Sequence, residues 1–217
     1  MEFLSCADAA KAMGITVRRI QQMCKQGKLP GAKKEGRLWL IPAGVVSMKK
    51  KPLPIGVSDF RAATTDYYYV DKTLMIRDFL DTKPVVSLFT RPRRFGKTLN
   101  MDMLRMFFEK TSEDTSVYFK DKKIWQCGDF YTCHQGQYPV IFLTFKDVKC
   151  LTWAETFQKI RRLIALEFMR HGELETSTVL SGYEKEQYHL LAGDTANEVD
   201  CQMGLQLLSL MLHKHYG

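Results

Sequence analysis

The sequence has no run approaching the ~18–20 apolar residues that a helix needs to span a bilayer, so no membrane segment is expected. It has no Cys-x-x-Cys pair. The six cysteines, at 6, 24, 127, 133, 150 and 201, follow no framework spacing and fit a reducing compartment. Cys127, Cys133 and His134 are the nearest thing to a metal group, but no fourth ligand is evident, and unpaired thiols are the preferred reading. There is no His-Glu-x-x-His, no nucleophile elbow and no pairing of carboxylates that suggests general acid–base work, which leaves the common zinc-protease, serine-hydrolase and glycosidase arrangements without support. Internal repeats and low-complexity tracts are also missing. The N-terminus, Met1-Glu2-Phe3-Leu4-Ser5-Cys6, is acidic and amphipathic, unlike a secretory signal, so a cytoplasmic protein is expected.

What is present begins with charge. The chain of 217 residues carries a net +8, unevenly spread. Residues 1–51 hold 11 Lys and Arg against 3 Asp and Glu, whereas residues 52–217 hold 21 of each. Such asymmetry predicts a nucleic-acid-binding module attached to a neutral domain.

The stretch that organises the rest runs from Pro84 to Leu99. Pro84-Val85-Val86-Ser87-Leu88-Phe89 is a short apolar run that reads as a buried strand. A basic turn follows, Thr90-Arg91-Pro92-Arg93-Arg94-Phe95. Gly96-Lys97-Thr98 then opens a helix predicted from Leu99 to Glu109. Strand, loop, Gly-Lys-Thr and helix is the order of a phosphate-binding loop. Gly96 permits close approach of backbone to oxygen, and the first helical amides favour anions. Lys97 is placed to reach the β/γ-phosphates of ATP, and the Thr98 hydroxyl to hold Mg²⁺. Arg91 stands where the usual motif has its first glycine. An ordinary basic strand-turn-helix is the alternative reading.

Three further segments accompany the loop: Leu53-Pro54-Ile55-Gly56-Val57-Ser58-Asp59-Phe60, Tyr68-Tyr69-Val70-Asp71-Lys72-Thr73 and Tyr138-Pro139-Val140-Ile141-Phe142-Leu143. Together with Arg91-Pro92-Arg93-Arg94-Phe95-Gly96-Lys97-Thr98 they resemble the predicted AAA-ATPase-like family of bacterial proteins, from about residue 50 onward. That family has its own Arg-Pro-Arg-Arg form of the loop. The resemblance implies ATP and Mg²⁺ as cofactors, hydrolysis of ATP to ADP and phosphate, and nucleotide contacts from Arg91, Arg93, Arg94, Phe95, Gly96, Lys97, Thr98 and Leu99. Lys97 and Thr98 are the implied catalytic residues. It also implies an acidic Walker B strand and, in many members, a PD-(D/E)xK nuclease-like domain. Neither is found, so the chain reads as truncated before Walker B and as inactive or slow by itself. Asp147, after the apolar run 139–145, is a weaker candidate for the missing acid.

Residues 1–48 read as a second module. Ser5 caps a short helix that Gly14 ends, and Thr16 caps a second from Val17 to about Gln26. Lys33-Lys34-Glu35-Gly36-Arg37 leads into Leu38-Trp39-Leu40-Ile41-Pro42 as a two-stranded wing. The words Gly14-Ile15-Thr16, Arg18-Arg19-Ile20-Gln21, Gly27-x-Leu29-Pro30-Gly31 and Trp39-Leu40-Ile41-Pro42 resemble the winged helix-turn-helix of the MerR and excisionase group. With Val17 and Ile20 packed inward, Arg18, Arg19 and Gln22 face the major groove of DNA. Lys33, Lys34 and Arg37 on the wing face phosphates.

The expected architecture is thus α/β: an incomplete P-loop NTPase three-layer core behind a small N-terminal winged helix-turn-helix domain. The expected boundaries are 1–48, a basic linker at 49–54, and 55–217. Tyr68 or Tyr69 is read either as a platform for the adenine or as core, and Asp71 as a helix N-cap. Helices are expected from Thr152 or Trp153, from Glu184 to Leu191, and from Glu198 to His215, with Gly217 as a C-cap and a strand to follow. His213 and His215 read as solvated. The leading functional expectation is an ATP-binding, DNA-associated ATPase. The alternative is a DNA-binding regulator or excisionase-like protein with a non-catalytic, nucleotide-sensing domain. No coiled coil is present, which leaves a homo-oligomer open.

Overall fold

Residues 3–46, 51–90, 92 and 95–217 are described by the computed structural model. They group into two units, Met1–Val70 with Arg91–Leu99, and Asp71–Thr90 with Asn100–Gly217.

In the first unit, Ser5 starts helix α1 (Cys6–Met13) by accepting the Asp8 amide at 3.2 Å. Gly14 ends it in the left-handed region at φ 63°, where a β-carbon would be strained, and returns its N–H to the Ala10 and Lys11 carbonyls. Thr16 then accepts the Arg19 amide and opens α2 (Val17–Lys25). Strands β1 (Phe3–Leu4), β2 (Lys33–Glu35) and β3 (Leu38–Pro42) form an antiparallel sheet in the order β1-β3-β2, with Phe3 opposite Pro42 and Lys34 opposite Trp39. A four-residue helix, α3 (Ala43–Val46), closes the module. Its core is Ala9, Ala10, Ile20, Cys24, Leu29, Ile41 and Val46. Val17 does not join that core. It remains 41% exposed, because it is the first residue of its helix and no preceding turn covers it.

Asp59 caps α4 (Phe60–Thr65) by accepting the Ala62 amide at 2.8 Å. Lys51, read from the sequence as part of a tether, instead donates its ammonium to the Thr64 and Thr65 carbonyls at 3.3 and 2.5 Å, satisfying the open end of α4. Lys49 and Lys50 lie outside the described residues. Tyr69 stacks edge-on against buried Phe60 at 5.3 Å, so its ring serves packing, while Tyr68 is exposed.

The second unit begins with α5 (Leu74–Thr82). Asp71 is not its N-cap: that position is Thr73, whose side chain does not cap the helix. The Asp71 carboxylate accepts the Thr73 amide and hydroxyl at 2.8 and 2.7 Å through one oxygen and the Lys123 amide at 2.8 Å through the other. The Thr73 oxygen in turn accepts the Ile124 amide at 3.1 Å. Helix α6 (Lys97–Phe108), which belongs to this unit from Asn100 on, contributes Met103, Leu104, Met106 and Phe107 to the interior, where Phe107 meets Phe119 edge-on. Short 3-10 turns and α7 (Asp129–Thr132) lead to three longer helices, α8 (Trp153–Arg170), α9 (Gly182–Ala192) and α10 (Glu198–Tyr216). Ser181 with Glu184, and Asn197 with Asp200, form reciprocal capping boxes that start the last two. The three pack around Ile164, Phe168, Leu174, Tyr188, Leu191 and Leu208.

The expected parallel strands are not formed. Residues 84–90 and 139–145 are irregular, and one parallel bridge, Glu109 to Tyr138, is the nearest approach to a ladder. Val85, Val86 and Leu88 are 100%, 84% and 85% exposed. A strand is stabilised by its neighbours, and no neighbour for the first run lies among the described residues. The fold there is mixed: helices with one small antiparallel sheet in the N-terminal module.

Two outcomes follow for stability. Truncating Asp71 to Ala leaves two amides without their acceptor and is expected to cost about 2 kcal/mol in chemical denaturation. Burial raises the Asp71 pKa, but the Thr73 and Lys123 amides outweigh it and hold the carboxyl below the usual aspartate value. Its stabilisation is therefore complete above about pH 4 and declines as pH falls through the lowered native value. Asp71→Asn should flatten the corresponding part of an acid-denaturation curve.

Candidate functional site

Helix α2 is fixed to the module by Ile20 and Cys24, which are buried, and by half-buried Met23. The opposite side carries Arg18, Gln21, Gln22 and Lys25, all exposed. Arg18, Arg19 and Gln22 are thus outward as expected. Gln21 and Lys25 were missed, although a 3.6-residue period anchored on Ile20 and Cys24 points to them. Arg19 Nη1 donates to Gln22 Oε1 at 3.1 Å. On the wing, Lys33 and Lys34 of β2 and Arg37 in the β2–β3 turn are exposed. Gly36 supplies the positive φ, 58°, that a two-residue hairpin turn requires.

Arg91, Arg93 and Arg94 of the proposed phosphate loop lie outside the described residues. Of the remainder, Phe95 is exposed, Gly96 is left-handed at φ 73°, and Lys97 and Thr98 are the first two residues of α6. Both of these are exposed, and Leu99 is buried behind them. An ammonium, a hydroxyl and the first amides of a 12-residue helix therefore lie at one place. This donor set fits a polyphosphate with its divalent cation. Lys97 and the amides would neutralise phosphate oxygens, and Thr98 would offer the cation a neutral oxygen.

Asp147 does not sit at the end of a strand. It lies in an exposed turn, and its carbonyl accepts the Lys159 ammonium at 2.9 Å. His215 is not simply solvated, since its Nδ1 meets buried Ser177 Oγ at 2.9 Å. Among the described residues no cluster of three or more His, Cys, Asp or Glu is arranged to hold a metal ion.

The second unit holds a charged network that sequence reasoning missed. Arg105 bonds Asp102 at 2.7 Å and Glu109 at 2.8 Å along α6. Glu109 also meets Arg170 of α8, which bonds Glu167. Glu167 Oε1 accepts the Phe142 amide at 2.7 Å, and Arg170 donates to the Val140 carbonyl. Two side chains thus serve the main-chain edge of the run 139–143. The i, i+3 and i, i+4 spacings were visible in the sequence, but the partners across helices were not. An apolar cavity of about 490 Å³ lies between Phe89 and Phe142, floored by Leu104 and Phe108.

A family model described as predicted AAA-ATPase matches residues 54–205. The chain belongs to this family. A second model, described as a helix-turn-helix domain, matches residues 3–45. A protein of Azotobacter chroococcum mcd 1 described as an uncharacterized protein in the vnfD 5'region is 43% identical over 63 residues. That match covers 28% of this chain and 12% of the relative, so the chain spans a small part of the relative's length. No solved structure matches. The chain is accordingly an AAA-ATPase-like family member with an N-terminal helix-turn-helix domain, and no helix among its described residues is long and apolar enough to cross a membrane.

Placing a side chain at φ near +70° costs about 1–2 kcal/mol except for residues that tolerate the left-handed region. Gly96→Ala is expected to lower unfolding free energy by that amount, and Gly96→Asn by less. Equal stability of all three proteins in urea would show that the turn does not depend on glycine.

Proposed function

We propose that this protein binds ATP with Mg²⁺ through the start of α6 and binds DNA through its N-terminal domain. The observation that carries the nucleotide half is Gly96 in the left-handed region directly before Lys97 and Thr98, within a chain of the AAA-ATPase-like family. The DNA half rests on the helix-turn-helix match, the exposed basic face of α2 and the concentration of positive charge in residues 1–51.

In this reading Lys97 balances the β/γ-phosphates, Thr98 ligates Mg²⁺, and Arg91, Arg93, Arg94, Phe95 and Leu99 complete the loop. Mg²⁺, when bound, would offset the negative charge of the phosphates. The domains divide at 1–48, a linker at 49–54 and 55–217, a division supported by the two family matches. In this reading the second domain has a P-loop three-layer core, with the runs 84–90 and 139–145 in the places of two of its strands; Phe89 of the first and Val140, Ile141 and Phe142 of the second line the apolar cavity. The N-terminal domain is of the MerR and excisionase type, and the protein is bacterial and cytoplasmic. Hydrolysis would need, besides these residues, an acid in the Walker B role.

The exposed position of Asp147 favours a second reading, a DNA-binding regulator whose second domain senses nucleotide without turning it over. ATPase assay separates the two. Turnover abolished by Lys97→Ala is expected on the first reading, and tight DNA binding indifferent to ATP on the second. For DNA, log affinity should fall linearly with log salt, at about 0.9 per phosphate neutralised. A salt-independent affinity would contradict a phosphate-directed wing.

A further inference from the structure

The contact between Arg19 and Gln22 has a chemical consequence for base readout. A guanidinium carries donors only, so its bond to Gln22 fixes which way the amide lies: Oε1 toward Arg19, the Nε2 protons away. Arg18, Gln22 and Lys25 stand at i, i+4 and i+7, one row along α2. The row is exposed and lies opposite buried Ile20 and Cys24. Oε1 keeps a second lone pair but faces Arg19, so the side of Gln22 turned away from Arg19 offers only its Nε2 donors, as Arg18 and Lys25 offer theirs.

Adenine in the major groove offers one acceptor and one donor, N7 and the N6 amino group. A glutamine reads it with one donor and one acceptor. Guanine offers two acceptors, N7 and O6. A row of donors therefore discriminates in favour of guanine, and a glutamine held in this way loses its usual preference for adenine. Gln21, exposed beside the row with no partner among the described residues, keeps both functions.

We propose that the Arg18–Gln22–Lys25 row selects a guanine-bearing strand, and that Arg19 is the positioning residue that turns Gln22 from adenine toward guanine. The inference rests on the DNA-binding reading and adds the bases read. It is tested by selection of the full chain on a pool of randomised duplex DNA at fixed salt, with Arg19→Ala and Arg19→Lys alongside. The unchanged protein is expected to enrich guanine at neighbouring positions. Arg19→Ala frees the Gln22 oxygen and should move one of those positions toward adenine, by on the order of tenfold. Arg19→Lys, which still donates, should restore guanine there. Thermal unfolding of the variants should match the unchanged protein, because Arg19 is exposed. A uniform loss of affinity in Arg19→Ala, with base preference unchanged, would make Arg19 a phosphate contact and overturn the proposal. Salt-sensitive binding with no base preference would overturn it while leaving DNA binding intact. Failure to retain any duplex at low salt would remove the DNA-binding reading itself.

Discussion

Helix α6 is tied down by charge at one end and open at the other. Near its C-terminal end Arg105 lies between Asp102 and Glu109, and Glu109 meets Arg170 of α8. The Glu109 and Glu167 side chains are almost wholly buried. Two charges removed from water lose solvation that only good geometry and further hydrogen bonds offset, so deleting one partner of such a pair typically costs about 3–5 kcal/mol. Here Glu167 and Arg170 also bond the main chain at Phe142 and Val140. The network therefore fixes α6 relative to α8 and to the run 139–143. The other end of the same helix begins with Lys97 and Thr98, exposed and preceded by a left-handed glycine.

That asymmetry suits a phosphate site. Donors that stay put when an anion arrives need no reorganisation, and amides at the start of a regular helix are set by the helix itself. The N-terminal domain follows the same logic on a smaller scale. Ile20 and Cys24 anchor α2, and the polar side chains opposite are exposed. In each case a buried face fixes a helix whose working groups are exposed. The proposed functions, nucleotide at one helix and DNA at the other, use those exposed groups.

Local chemistry was legible in the sequence, and long-range pairing was not. Ser5, Thr16 and Thr152 mark helix starts because each bonds the amide three residues on; Ser181 and Asn197 do the same and were passed over. Gly14 and Gly96 stand where positive φ is required. Asp71 was misread as a cap because its second partner, Lys123, is 52 residues away. The runs 84–90 and 139–145 look like strands by composition, yet a strand exists only beside another, and composition does not supply the neighbour. Val17 has the right residue type for a core and the wrong place in its helix. For the site, the Gly-Lys-Thr sequence and the basic face of α2 were readable, whereas the bond that orients Gln22 needed coordinates.

The central claim is that the amides from Gly96 to Leu99, with the Lys97 ammonium, receive a polyphosphate. The most direct measurement is a two-dimensional amide NMR titration of the intact chain with MgATP. The account predicts that the largest shift changes fall on Gly96, Lys97, Thr98 and Leu99 and saturate with nucleotide. Saturable changes centred elsewhere, with these four amides unmoved, would contradict it.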